Sequence, residues 1–417
     1  LADETANRLT ISDQAITVTG AITVDNSNLL AAVTSGKLTA TIATTETVTE
    51  LATLSADGGT NDLTIVIRGA DATSSTAAQL NTINDATALA VDLSNVTGLA
   101  GSSLTDLGTL ATAINASQFD NASSLSSIAV TDTTIDATTL LARIDSYDTI
   151  NGVSGTTDMT LASGATINLD ASEITDMLAD ETANRLTISD QAITVNSAGT
   201  ISVDTANLLE ATTSGVITAS ITTTETVDEL QTLTGTGNAY TIVIANGDAT
   251  GSTASEFTSI NGKTTVAIDA SAVTGLASDN ISNINTLLTA GNDTNQFTST
   301  SFGSLTGVTV SDTTLNGATL ASAIDQANIA TGDTSVVFTI TAADEIQGTE
   351  GNFTDLLADE GNSQISITDQ NINVNSGTLT VDNANLLGTT TSGKVTATIA
   401  TTETVTELAT LNADGGT

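Results

Sequence analysis

The chain has 417 residues, 48 acidic side chains against seven basic ones, a net charge of −41, and no Cys, His, Pro or Trp. That balance repels nucleic acid and anionic lipid surfaces, which need a positive partner. Without His or Cys, disulfides, imidazole metal ligands, a Ser-His-Asp triad and a thiol nucleophile are all excluded.

The chain repeats itself. Residues 1–18 (LADETANRLTISDQAITV) return almost unchanged at 178–195 and, more diverged, at 357–374. A second block, residues 34–54 (TSGKLTATIATTETVTELATL), returns at 213–233 and 391–411. The spacing is 177 to 179 residues, which predicts a first unit over 1–177, a second over 178–356 and a partial third over 357–417. The chain starts and stops inside its repeat, which reads as a window cut from a longer thread.

In chain order, Ile16, Val18, Ile22 and Val24 alternate with Thr and Ala, the period of a half-buried strand. A short turn carries Leu29 and Leu30, and Leu38, Ala40 and Ile42 then alternate again. Val48, Leu51 and Leu54 fall at helical spacing behind Thr45, taken as the cap. Residues 63–67 read as a strand, and a helical segment with Leu80 and Ile83 follows. There Thr76 and Gln79 have capping-box spacing, matched by Thr253 and Glu256 in the second unit. Residues 88–93 and 127–131 are strand-like. Helix-like segments carry Leu104, Leu107, Leu110 and Ile114, and then Leu140, Leu141 and Ile144.

The apolar share of 39% is almost wholly Ala, Val, Ile and Leu, with aromatics at 2%. Small aliphatic residues in a strand–helix rhythm predict stacked turns in a repeat solenoid, β-rich, with parallel strand ladders and short capped helical turns. Such a fold is elongated and has no single globular core. The competing reading, a string of β-sandwich domains, does not suit the frequent capped helices or the lack of a linker at residues 177–178. Periodic aliphatics and the absence of Pro argue against disorder.

Asp outnumbers Glu 34 to 14, which favours turns, caps and oxygen-ligand cation sites. Clusters of Asp, Asn and Gly at 57–62, 246–250 and 291–295 make Asp57, Asp62, Asp248 and Asp293 the candidate calcium ligands. Neither an EF-hand loop nor a calcium β-roll nonapeptide series is present. The Thr-x-Thr pairs at Thr39 and Thr396 recur once per large unit, too rarely for an ice-binding array. Carboxylates alone would allow glycoside hydrolysis, but the chain lacks the aromatic platforms that sugar-cleaving repeat folds offer. No enzymatic activity is expected.

Residues 75–83 (STAAQLNTI) and 130–134 (VTDTT) resemble the repeats of giant acidic surface proteins of marine bacteria, those of swimming marine cyanobacteria in particular. The resemblance implies an acidic, Cys-free protein outside the cell or on the bacterial surface, with a structural, adhesive or motility-related role. It carries no catalytic residues over. The expected function is a structural extracellular thread or filament whose partners are neighbouring copies of itself and divalent cations. There is no nucleic-acid partner and no membrane insertion in this reading. The alternative is the calcium-stiffened stalk of a large adhesin.

Overall fold

The structure is a computed structural model, which describes residues 9–55, 60–152, 157–196, 198–332, 334–341 and 343–412. It divides into two compact units, one of residues 1–199 and 211–216, the other of 200–210 and 217–417.

The expected fold class is overturned. Helix (37%) outweighs strand (23%), and several small parallel sheets alternate with helices in an α/β arrangement instead of a β-rich, elongated solenoid. The reason lies in the helices. The segments read as helix-like at 104–114 and 140–144 extend into capped helices of 12 and 15 residues at Leu104–Asn115 and Ala137–Asn151, and Gly317–Thr331 is another of 15. Most strands are much shorter, for example Thr134–Asp136 with three residues. Parallel strands need a crossover connection, and a helix long enough to cover the sheet supplies it.

In the first unit Ile16–Ile22, Leu38–Ile42 and Asp62–Thr64 form one parallel sheet. Gly98–Ser102, Ser127–Val130, Asp158–Thr160 and Leu186–Thr187 form a second, and Thr134–Asp136, Thr166–Leu169 and Ala192–Val195 lie in a third. The chain therefore lays a strand in one sheet, steps to the next sheet, then crosses back through a helix. Register stacks like residues: Leu99, Ile128, Met159 and Leu186 are cross-strand partners, as are Ile135, Ile167 and Ile193. All are buried. Helices Ala77–Asp85, Leu104–Asn115 and Ala137–Asn151 pack in succession.

The second unit uses the same plan. Gly275–Asp279, Gly307–Val310 and Val337–Thr339 pair in parallel, as do Thr314–Asn316, Glu345–Thr349, Asn371–Ser376 and Val395–Thr396. Its core also holds an aromatic group: Phe302 meets Phe257 edge-on at 5.8 Å and Phe297 at 5.2 Å.

Local expectations fare unevenly. The capping boxes at Thr76–Gln79 and Thr253–Glu256 form as read. Thr45 does not cap its helix. Thr47 does, because Glu50 three residues on completes a capping box that Thr45 lacks. Val24, read as strand, opens the helix Val24–Val33 behind the cap Thr23. Residues 88–93 contribute only Val91–Asp92 to a strand.

Both repeat boundaries fall inside helices, Ile174–Thr182 and Glu350–Gly361. At each, the last strand of one copy pairs with a strand of the next: Ile167 with Ile193, and Ile346 with Ile372. Two junctions, 179 residues apart in sequence, have the same register.

Candidate functional site

Among the described residues, the candidate calcium ligands Asp62, Asp248 and Asp293 belong to no group of carboxylates that could hold a metal ion. Asp57 lies outside the described residues. Asp62 forms an ion pair with Lys37, just before the adjacent strand Leu38–Ile42. The second copy has Ala239 and Val216 at these places, so both partners change together. Asp293 closes an Asx turn after the helix Ile281–Gly291. Its Oδ1 accepts from the Asn295 backbone N–H (3.0 Å) and Nδ2 (2.9 Å), and its Oδ2 accepts from Gln296 Nε2 (2.9 Å). The Gln296 and Asn295 donors hold its carboxyl below the usual range. Asp248 is the counterpart of Asp71, with Ala245 where the first copy has Arg68. Among the described residues, no three or more carboxylates are gathered so as to hold a metal ion.

Other aspartates begin helices. A helix start leaves N–H groups without intrahelical partners and carries partial positive charge. Here two caps act together. A local Thr, Ser or Asn accepts from the third residue, as Thr47, Ser103 and Asn280 do. A side chain from the following turn of chain then takes another of the free N–H groups. Asp71 Oδ2 accepts from Val48 N (2.9 Å), Asp132 Oδ2 from Leu104 N (2.8 Å), Asp279 Oδ2 from Ser255 N (2.8 Å) and Asp312 Oδ2 from Ile281 N (2.6 Å). Ser102, the counterpart of Asp279, does the same for Ala77 N at 2.9 Å. Burial pushes the Asp71 and Asp279 carboxyls up. The Arg68 and Val48 donors at the first, and Asn283 and Ser255 at the second, outweigh it and hold both below the usual range.

A cavity of about 370 Å³ lies against Asp136, Asn168, Asp170, Glu173 and Thr194. Its carboxylates are engaged: Asp136 Oδ1 accepts from Thr139 N (2.9 Å) and Glu173 Oε2 from Asp170 N (2.8 Å). A shallower groove of about 640 Å³ runs by Gly108 and Arg143. A Cβ at position 108 would stand 2.6 Å from the Arg143 guanidinium carbon, so a larger residue there would make the end of the Arg143 side chain shift.

The charged cluster that most distinguishes the copies surrounds Arg185. Its Nη1 donates to Asp148 Oδ2 at 2.7 Å and its Nη2 contacts Asp180, which is 5% exposed. Burial raises the Asp180 carboxyl; Arg185 opposes the rise, and Asp145, Asp148 and Asp176 add to it. In the next copy Gln364 replaces Arg185 and Asn328 replaces Asp148, joined by Gln364 Nε2 donating to Asn328 Oδ1 at 2.6 Å. Asp359, the counterpart of Asp180, stays. Sequence reasoning missed this cluster, although LADETANRL beside LADEGNSQI already displays the exchange of Arg185 for Gln364.

Compared with known proteins, the chain matches no family model and no curated relative.

Proposed function

We propose that this protein is a structural component of the bacterial surface or of the space beyond it, a thread lengthened by adding copies, without catalytic activity. The observation that carries the reading is the repeated junction. Each copy pairs its last parallel strand with a strand of the next in the same register, Ile167 with Ile193 and Ile346 with Ile372. A junction that recurs can be continued, so length scales with copy number.

Three further contacts, kept while the surrounding sequence drifts, support a structural role. Asn28, Asn207 and Asn385 each donate to a backbone carbonyl, that of Thr53, Thr232 and Thr410, at 2.9 to 3.0 Å. Each also accepts from the N–H two residues further on. Thr34, Thr213 and Thr391 each bond the carbonyl of Gln14, Gln191 or Gln370 at 2.6 to 2.7 Å. The glycines two residues later lie so close to those same carbonyls that a Cβ at Gly215 would stand 2.3 Å from the Gln191 oxygen. Placement outside the cell rests on the Cys-free, acidic composition and on the resemblance to marine bacterial surface repeats. The partners are neighbouring copies, with divalent cations screening the carboxylates.

The test is to insert one additional copy of residues 178–356 and image both proteins by negative-stain electron microscopy. The longer chain should add a constant increment to particle length at unchanged width. Particles that grow in all dimensions, or an insert that unfolds independently of its neighbours, would overturn the reading.

A further inference from the structure

The repeat lets one copy serve as the control for another. In the first unit, the helices Ala137–Asn151 and Ile174–Thr182 are joined by Arg185, which bridges Asp148 and Asp180. In the second unit the corresponding helices are Gly317–Thr331 and Glu350–Gly361, which pack against each other. The backbone around the bridge is retained: Gln364 N donates to Asp359 O at 3.0 Å, as Arg185 N does to Asp180 O at 2.9 Å. The ion pair itself has become the neutral pair Gln364–Asn328, with Gln364 1% exposed. Three carboxylates of the set, Asp325, Asp355 and Asp359, remain without the guanidinium.

We propose that Asp359 is a proton-responsive latch: packing between Gly317–Thr331 and Glu350–Gly361 tightens when this carboxyl takes up a proton and loosens when it is charged. The charges acting on Asp359 are those of Asp325, on the facing helix, and Asp355, one turn earlier on its own helix; both repel it. Glu345, on the adjoining strand, is engaged by Gln347 and Asn373 instead. Burial, with the two neighbouring aspartates adding to it, pushes the Asp359 carboxyl up to about 6. A carboxyl raised in the folded state binds protons more tightly there than in the unfolded chain. Stability therefore grows as pH falls from above 6 towards 4, and is lost on the way back. With Gln364 and Asn328 where the other copy has Arg185 and Asp148, a proton does at this site what the guanidinium does elsewhere.

Hydrogen exchange on the whole chain at pH 7.5 and 5.0, corrected for intrinsic rates, tests this. Protection over residues 350–361 should rise about threefold at pH 5.0, less than the roughly tenfold that full linkage allows between these two pH values, because Asp359 is partly solvated. Residues 174–182 should change far less. Asp359→Asn should remove the response, and the double change Asn328→Asp with Gln364→Arg should reduce it to that of residues 174–182. Equal gains in both helices would assign the effect to general relief of self-repulsion. A response that survives in Asp359→Asn, or in the double variant should Asp359→Asn fail to fold, would equally overturn the latch.

Discussion

Two tyrosines, both fully buried, show how much a single atom decides. Tyr147 donates its hydroxyl to the Leu107 carbonyl at 3.0 Å, while the Tyr240 hydroxyl has no partner. A buried hydroxyl gains about 1 kcal/mol from a hydrogen bond and costs a similar amount or more without one. Tyr147→Phe should therefore destabilise by about 1 kcal/mol, leaving the Leu107 carbonyl short of a donor. Tyr240→Phe should be neutral or stabilising. Urea unfolding of the two variants checks both signs, and a cost at Tyr240 equal to that at Tyr147 would refute the contrast. Sequence placed the two tyrosines among the rare aromatics and could go no further. The difference between them depends on what lies opposite the ring edge, a neighbour tens of residues away.

Among the elements, helices depend on acids that sequence distance hides. Local capping was legible at Thr76–Gln79 and Thr253–Glu256 because a capping box spans four residues. The long-range caps were not, since Asp132 is 28 residues from the Leu104 N–H that it accepts from. Asp132→Ala should cost about 1 kcal/mol, with the loss seen as faster amide exchange in the first turn of Leu104–Asn115. An unchanged exchange rate there would show that Ser103 alone suffices. The pH sign is opposite to that of the latch. Asp71 and Asp279 are held below the usual carboxyl range, so what they contribute is present at neutral pH. It is lost as pH falls below about 4, where they take up protons. Two kinds of aspartate thus leave the second unit most resistant in the mildly acidic range.

For the molecule as a whole, a net charge of −41 is a repulsion that every fold of this chain must tolerate. The capping geometry absorbs part of it by setting carboxylates against helix starts, but most charges face solvent and respond to salt. Raising ionic strength from about 0.01 to 0.5 M, where the Debye length shrinks from about 30 Å to a few ångströms, should raise the melting temperature by several degrees. Calorimetry with sodium chloride measures it. A melting temperature that does not move would mean that self-repulsion is already balanced within the fold. Comparing sodium with calcium at matched ionic strength separates screening from specific binding.

The sequence by itself determined the repeat, its period, the alternation of strand and helix, and the exclusion of thiol and imidazole chemistry. Each of these is local or self-referential: a block compared with its copy, a period of two or 3.6 residues, or a missing residue type. The tertiary structure alone decided that helix outweighs strand, that Asp62 serves a salt bridge and that Asp293 closes a turn. It also placed Asp359 without the cation that Asp180 retains. Helix length depends on which N–H groups find caps, and the distant caps come from the following turn. The charge state of a carboxyl depends on burial and on neighbours that only packing supplies. Spacing along the chain records neither.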